Sequence, residues 1–119
     1  MINRELDELV ATKIMGWKKC KVNQGSCGFE VDGWASPDGK TYTHLPAYYS
    51  HDIKAAWEVV QKMYDDDYHV SIQNCHPPNW CVFFYGNKDE NDNGWGEDIE
   101  TIEEAICIAA LDAIGVSYG

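Results

Sequence analysis

The sequence predicts an α+β domain: an α/β/α three-layer sandwich of about five mostly antiparallel strands and three helices. Three observations lead there. Apolar residues recur at three- and four-residue spacing in three separate segments. Between them lie short stretches in which apolar and polar residues alternate, bounded by Gly, Pro, Asn and Asp. Finally, Trp80 to Tyr85 is apolar on both faces, the mark of a central strand with layers above and below it.

The first helix is expected from about residue 4 to 15. Asn3 is a good N-cap, Glu5, Asp7 and Glu8 suit the positive end of the dipole, and Gly16 is a natural stop. Leu6, Leu9, Val10, Ile14 and Trp17 form its apolar stripe, with Lys13 at the edge. Between Trp17 and Trp34, two short strands joined by a Gly-rich turn fit the alternation best. Ser36-Pro37-Asp38-Gly39 is a strong turn, Lys40 to Thr43 a short third strand, and Leu45 to Tyr49 a Pro-containing loop. Ser50 is the expected cap of the second helix. Its stripe is Ile53, Ala56, Trp57, Val60, Met63 and Tyr64, and it ends in the acidic run Asp65 to Asp67.

Tyr68, Val70 and Ile72 then alternate with His69, Ser71 and Gln73, as in a strand with one wet face. Cys75 to Asn79 reads as a loop, and so does Asn87 to Asp98. Thr101 and Glu104 make a capping box for the third helix, Ile102 to Ile114. That helix is apolar almost all round and therefore mostly buried, with small alanines that permit close approach to a sheet.

The 119 residues fit a single domain, 1–119. The net charge of −11 argues against direct binding to nucleic acid or an anionic membrane, because phosphate contacts need clustered Lys and Arg. No apolar run is long enough to span a bilayer, and Met1 to Met15 does not read as a signal peptide. Five cysteines, an odd number, point to free thiols in a reducing compartment.

Three segments carry a resemblance. They are Leu6-Asp7-Glu8-Leu9-Val10-Ala11 through Met15-Gly16-Trp17; Tyr49-Ser50-His51-Asp52-Ile53-Lys54-Ala55-Ala56-Trp57-Glu58-Val59-Val60; and Glu104-Ala105-Ile106-Cys107-Ile108-Ala109-Ala110-Leu111. In this order the chain resembles the phage ABA sandwich domain, a family of small proteins in phages and prophages of Gram-positive bacteria. The resemblance implies a helix–sheet–helix sandwich and a phage origin. It rests on helix cores and caps, so it implies no catalytic residues.

The most complete motif is Asp89-Glu90-Asn91-Asp92-Asn93-Gly94 followed by Glu100, which matches a calcium loop. Asp89, Asn91 and Asn93 would give side-chain oxygens, Trp95 a carbonyl, Gly94 the sharp turn and Glu100 a bidentate carboxylate. A preceding strand and Gly96 at a normally aliphatic position depart from the pattern. The competing reading is a solvated loop, so no cofactor is expected, and calcium is the ion that loop would take. Cys75, His76 and Cys81, with Cys20 or Cys27, have zinc-binding chemistry but lack a C-x-x-C pair. Trp34, Tyr42, Tyr48, Tyr49 and Trp95 lie in or beside loops, where aromatics either cap sheet edges or hold a ligand.

The leading expectation is a non-enzymatic phage accessory protein of the host bacterial cytoplasm that antagonises antiviral defence. It would sequester a small nucleotide-like signal with these aromatics and a few of Arg4, Lys18, Lys19, Lys21 and Lys40. The alternatives are an acidic inhibitor of a basic host protein and a small metal-dependent enzyme. The abundance of aromatics on so short a chain also suggests a homo-oligomer.

Overall fold

The computed structural model describes residues 4–24, 29–86 and 93–116. Helix α1 (Arg4–Val10) runs directly into a π-helical turn, Ala11–Met15, where the sequence suggested one uninterrupted α-helix. Gly16 ends it in the left-handed region at φ 84°, as a glycine can. Strands β1 (Lys18–Gln24), β2 (Phe29–Ala35) and β3 (Thr41–Tyr42) form a small antiparallel sheet. Helix α2 (Ile53–Asp65) follows. Next come β4 (Tyr68–His76), β5 (Asn79–Gly86) and β6 (Asn93–Ile99), a second antiparallel sheet in that order, and α3 (Ile102–Ala113) closes the chain.

The described residues form an α+β sandwich with three helices, antiparallel pairing and six strands, where the sequence suggested about five. The sixth is β6, which occupies the second half of the stretch read as a loop, 93–98; its first half lies outside the described residues. Strand β5 is central in its sheet, as expected. Its Val82 and Phe84, on one side, are fully buried. On the opposite side Cys81 is buried but Phe83 is half-buried and Tyr85 exposed, so the second cover expected for this strand is not supplied along its whole length by the described helices.

The contact between α3 and the sheet has a specific cause. Gly94 and Gly96 sit beneath Ala105, Ala109 and Ala113, one small residue per helical turn. A Cβ on Gly94 would fall on the Ala113 amide nitrogen and the Ala109 carbonyl oxygen, and one on Gly96 would lie 2.8 Å from the Ala105 carbonyl oxygen. Helix and strand backbones thus meet directly, and Ile106, Leu111, Val82 and Phe84 fill the core around them.

One cap differs from expectation in an instructive way. Asp52, not Ser50, caps α2, its carboxylate accepting from the Lys54 N–H at 3.0 Å. Ser50 is buried, and its N–H donates to Asp7 Oδ1 at 2.7 Å. Asp7 is fully buried and also accepts from Arg4 at 2.8 Å. Arg4 in turn donates to the carbonyls of Leu45 and Ala47 and lies 4.4 Å above the Tyr48 ring. One Arg–Asp pair therefore pins the 45–50 loop to α1. Thr101 caps α3 as expected, accepting from the Glu104 N–H at 3.3 Å.

Burial sets the chemistry of two core groups. Desolvation pushes the Cys107 thiol far above its ordinary value of 9.0 and raises Tyr49 from 10.0 to about 12, against the lowering effect of a hydrogen bond from Trp17. Both groups stay protonated longer in the folded chain than in the unfolded one. Their contribution to stability is complete below about pH 9, declines as pH rises past 9 and 10, and for Tyr49 is exhausted near 12. Urea midpoints measured from pH 8 to 11 are expected to hold to about pH 9 and then fall. In Cys107→Ala the fall should begin nearer pH 10. A flat profile in the parent chain would refute this assignment.

Candidate functional site

The antiparallel pairing of β1 with β2 sets Lys19 opposite Trp34 and Lys21 opposite Asp32. Alternation then places all four on one face of the hairpin. This face and Glu8 of α1 enclose a cleft of about 500 Å³, lined also by Cys20 and Gly33. Trp34 is buried at its floor, and the Lys19 ammonium lies 5.4 Å from the centroid of the indole ring, within cation–π range. Lys21 pairs with Asp32, and its hydrogen bond holds that carboxyl below the usual carboxylate range. Four of the nine cationic side chains of this acidic protein, Lys18, Lys19, Lys21 and Lys40, belong to β1 and the turn before β3.

A second cleft, of about 360 Å³, lies beside the 36–40 turn that joins β2 to β3. Trp17, Tyr42 and Tyr49 line it, with Pro37, Pro46, Asp38 and Glu58 among its other walls. The Trp17 and Tyr42 rings are 5.7 Å apart and tilted by 51°, and the Trp17 indole N–H donates to the Tyr49 hydroxyl at 3.0 Å. Serine and backbone donors of the 36–40 turn hold the Asp38 carboxyl low as well.

The five aromatics singled out in the sequence are thus divided. Trp34 belongs to the first cleft, and Tyr42 and Tyr49 to the second. Tyr48 lies under Arg4, and Trp95 is on β6, in the other sheet. Among the candidate cations, Lys19 and Lys21 line a cleft, and Arg4 is committed to the 45–50 loop. Glu8, Cys20, Asp32, Gly33 and Trp17 were not singled out from the sequence as ligand-contacting. The alternation Lys19-x-Lys21 facing Asp32-x-Trp34 is the signal that would have found Asp32, whereas Glu8 comes from α1.

The calcium-loop reading requires correction where it can be checked. Asp89 and Asn91 lie outside the described residues. Asn93, Gly94 and Trp95 are in an extended strand, and Glu100 follows its end. At about 3.3 Å per residue, β6 separates Asn93 from Glu100 by roughly 20 Å, so the two cannot share one ion while the strand stands. Gly94 serves the contact with α3 and makes no turn. Of the zinc candidates, Cys75 and His76 are on β4 and Cys81 is on the paired β5, whereas Cys20 is on β1 in the other sheet and Cys27 lies outside the described residues. Among the described residues no group of three or more His, Cys, Asp or Glu side chains is arranged to hold a metal.

A sequence model of the phage ABA sandwich domain matches residues 8–111. The chain belongs to this family. Its fold is shared with the 2.0 Å crystal structure of a phage protein from Bacillus cereus ATCC 14579. The TM-score is 0.68 at 23% identity, over 98% of this chain and 90% of that one. No curated protein matches the chain. Among the described residues of this ABA sandwich protein, no helix is long and apolar enough to cross a membrane.

Proposed function

We propose that this phage protein is a non-enzymatic accessory acting in the host cytoplasm, and that it binds a small nucleotide-like ligand in the cleft between α1 and the β1–β2 hairpin. Withholding such a signal would blunt a host defence that depends on it. The observation that carries this reading is Lys19 poised over Trp34 in a cleft of about 500 Å³, which is the size of a small-molecule site. Lys19 and Lys21 offer charge for a phosphate, and Glu8 and Asp32 offer acceptors for hydroxyl or amino groups. Two of the four lysines, Lys19 and Lys21, reach the cleft and balance Glu8 and Asp32 there, so the cleft is less hostile to an anion than the −11 chain as a whole.

Thermal melts with a panel of adenine and guanine nucleotides test this reading, because a ligand that prefers the folded state raises the melting temperature. At least one nucleotide should do so. Lys19→Glu should weaken its binding by about tenfold or more, since a hydrogen bond to a charged group contributes about 1.5–3 kcal/mol. Binding that is unchanged in Lys19→Glu, or no response to any nucleotide at millimolar concentration, would count against the cleft.

A different observation favours protein-directed inhibition as the second reading. Half of the expected α2 stripe faces outward: Ile53, Trp57 and Tyr64 are exposed while Ala55, Ala56, Val59, Val60 and Met63 are buried. These exposed groups stand beside Glu58 and the Asp65 to Asp67 run. An aromatic ridge with an acidic margin suits a basic protein surface, and its binding would weaken with salt.

A further inference from the structure

We propose that the second cleft, beside the 36–40 turn, binds a small quaternary ammonium ion. The fold builds this cleft from segments far apart in the chain. The 36–40 turn lies against the end of the first helix, where a Cβ on Gly16 would come within 3.6 Å of Pro37 Cγ. Trp17 and Tyr42 thereby meet at 5.7 Å and 51°, and both line the cleft. The hydrogen bond from the Trp17 indole to the buried Tyr49 hydroxyl holds the indole in place. Aromatic faces carry negative π density, so rings held in this way attract a cation. Pro37, Pro46 and Ala47 add aliphatic surface.

Charge selects the ligand. Among the described residues that line the cleft, the charged ones are Asp38 and Glu58, with no Lys, Arg or His. Among the described residues neither carboxylate has an ion-pair partner. Lys40 follows in the same turn and Lys54 stands one helical turn before Glu58, but neither lines the cleft. The charge of Glu58 also reaches the floor, where it helps to raise Tyr49. The first cleft differs, because Lys19 and Lys21 balance its two acids, and the two clefts share no lining residue. An anion is thus repelled from the second cleft, while a cation is drawn by carboxylates and rings together. A primary ammonium is strongly hydrated and would need polar acceptors in place of its water. Aromatic, proline and alanine walls suit the methyl groups of a quaternary ammonium instead. The volume of about 360 Å³ falls at the small end of ligand sites.

An NMR titration with choline chloride tests this, read at the Trp17 indole N–H and the amides of Asp38 to Tyr42. A saturable shift at these groups is expected, with a millimolar dissociation constant, because cation–π attraction at a partly exposed site is modest. The uncharged tert-butyl analogue of choline should bind at least fivefold more weakly. Sodium chloride at equal concentration should not reproduce the pattern. Both carboxylates are exposed, so Asp38→Asn combined with Glu58→Gln should keep native circular dichroism and weaken choline at least fivefold. Tyr42→Leu should weaken it similarly, and Tyr42→Phe, which keeps the ring, should restore it. The absence of a saturable shift at the Trp17 indole would overturn the proposal. So would equal binding of the uncharged analogue, the same shifts with sodium chloride, or unchanged choline affinity in either the double variant or Tyr42→Leu.

Discussion

Replacing Gly94 with alanine is expected to destabilise the protein by about 3 kcal/mol, the upper part of the range for overpacking a rigid site. Most overpacked side chains find room because a neighbouring side chain moves. Here the obstacles are the Ala113 amide and the Ala109 carbonyl, which are held in the hydrogen-bond ladder of α3. Relief requires the helix to lift from β6, which opens the core around Ile106, Leu111, Val82 and Phe84. Gly94→Val should be worse, leaving little soluble folded protein. Gly39→Ala is the informative contrast. Its Cβ would meet nothing within 4 Å, so only the positive φ of 92° is at stake, and the loss should be about 1 kcal/mol. Chemical denaturation of the three variants measures this directly. If Gly94→Ala and Gly39→Ala cost the same, the backbone contact between α3 and β6 is not what seats the helix.

The second large effect is expected at Asp7. Removing one partner of a buried ion pair costs about 3–5 kcal/mol, because the other charge and its hydrogen-bonding groups lose their partner. Asp7 is fully buried, but Arg4 is partly exposed and keeps the Leu45 and Ala47 carbonyls, so the low end of that range applies. Asp7→Ala should lower the melting temperature by roughly 10 °C. It should also free the 45–50 loop, since Ser50 loses the carboxylate that its N–H reaches. Proteolysis in that loop should accelerate in Asp7→Ala and not in Asp38→Ala, whose carboxylate lies in the exposed 36–40 turn. Equal protease sensitivity in the two variants would show that the Arg4–Asp7 pair does not hold the loop.

Local chemistry explains why most of the fold was legible. Thr101, Gly16, the Ser36 to Gly39 turn and the apolar period of the last helix each act within a few residues of themselves, and each stands where the sequence suggested. The misreadings at Ser50 and in β6 involve partners distant in the chain. Ser50 has the chemistry of an N-cap, but Asp7, 43 residues away, claims its N–H. The stretch from Asn93 looks like a loop because it carries Gly94 and Gly96, yet those glycines are what a strand needs beneath an alanine-lined helix. The α2 stripe reads as one continuous apolar face, but helical period marks apolar character and cannot say how wide a face the rest of the protein will cover.

The candidate site was legible only in pieces. Lys19, Lys21 and Trp34 had been noted separately as charge and as an aromatic near a loop. Their meeting depends on the β1–β2 register, which a sequence does not print. Glu8 enters from another element altogether. The aromatic criterion also gathered residues with unrelated fates, since a half-exposed tyrosine or tryptophan serves equally in a sheet face, a loop anchor or a cleft.

The central claim is that ligand binds between α1 and the β1–β2 hairpin. The most direct measurement is an amide NMR titration with whichever nucleotide raises the melting temperature furthest. The largest shifts should fall on Glu8, on Lys19 to Lys21 and on Asp32 to Trp34, and they should vanish in Lys19→Glu. Shifts gathered instead around Trp17 and Tyr42, along α2, or on the β4–β5–β6 sheet would contradict it.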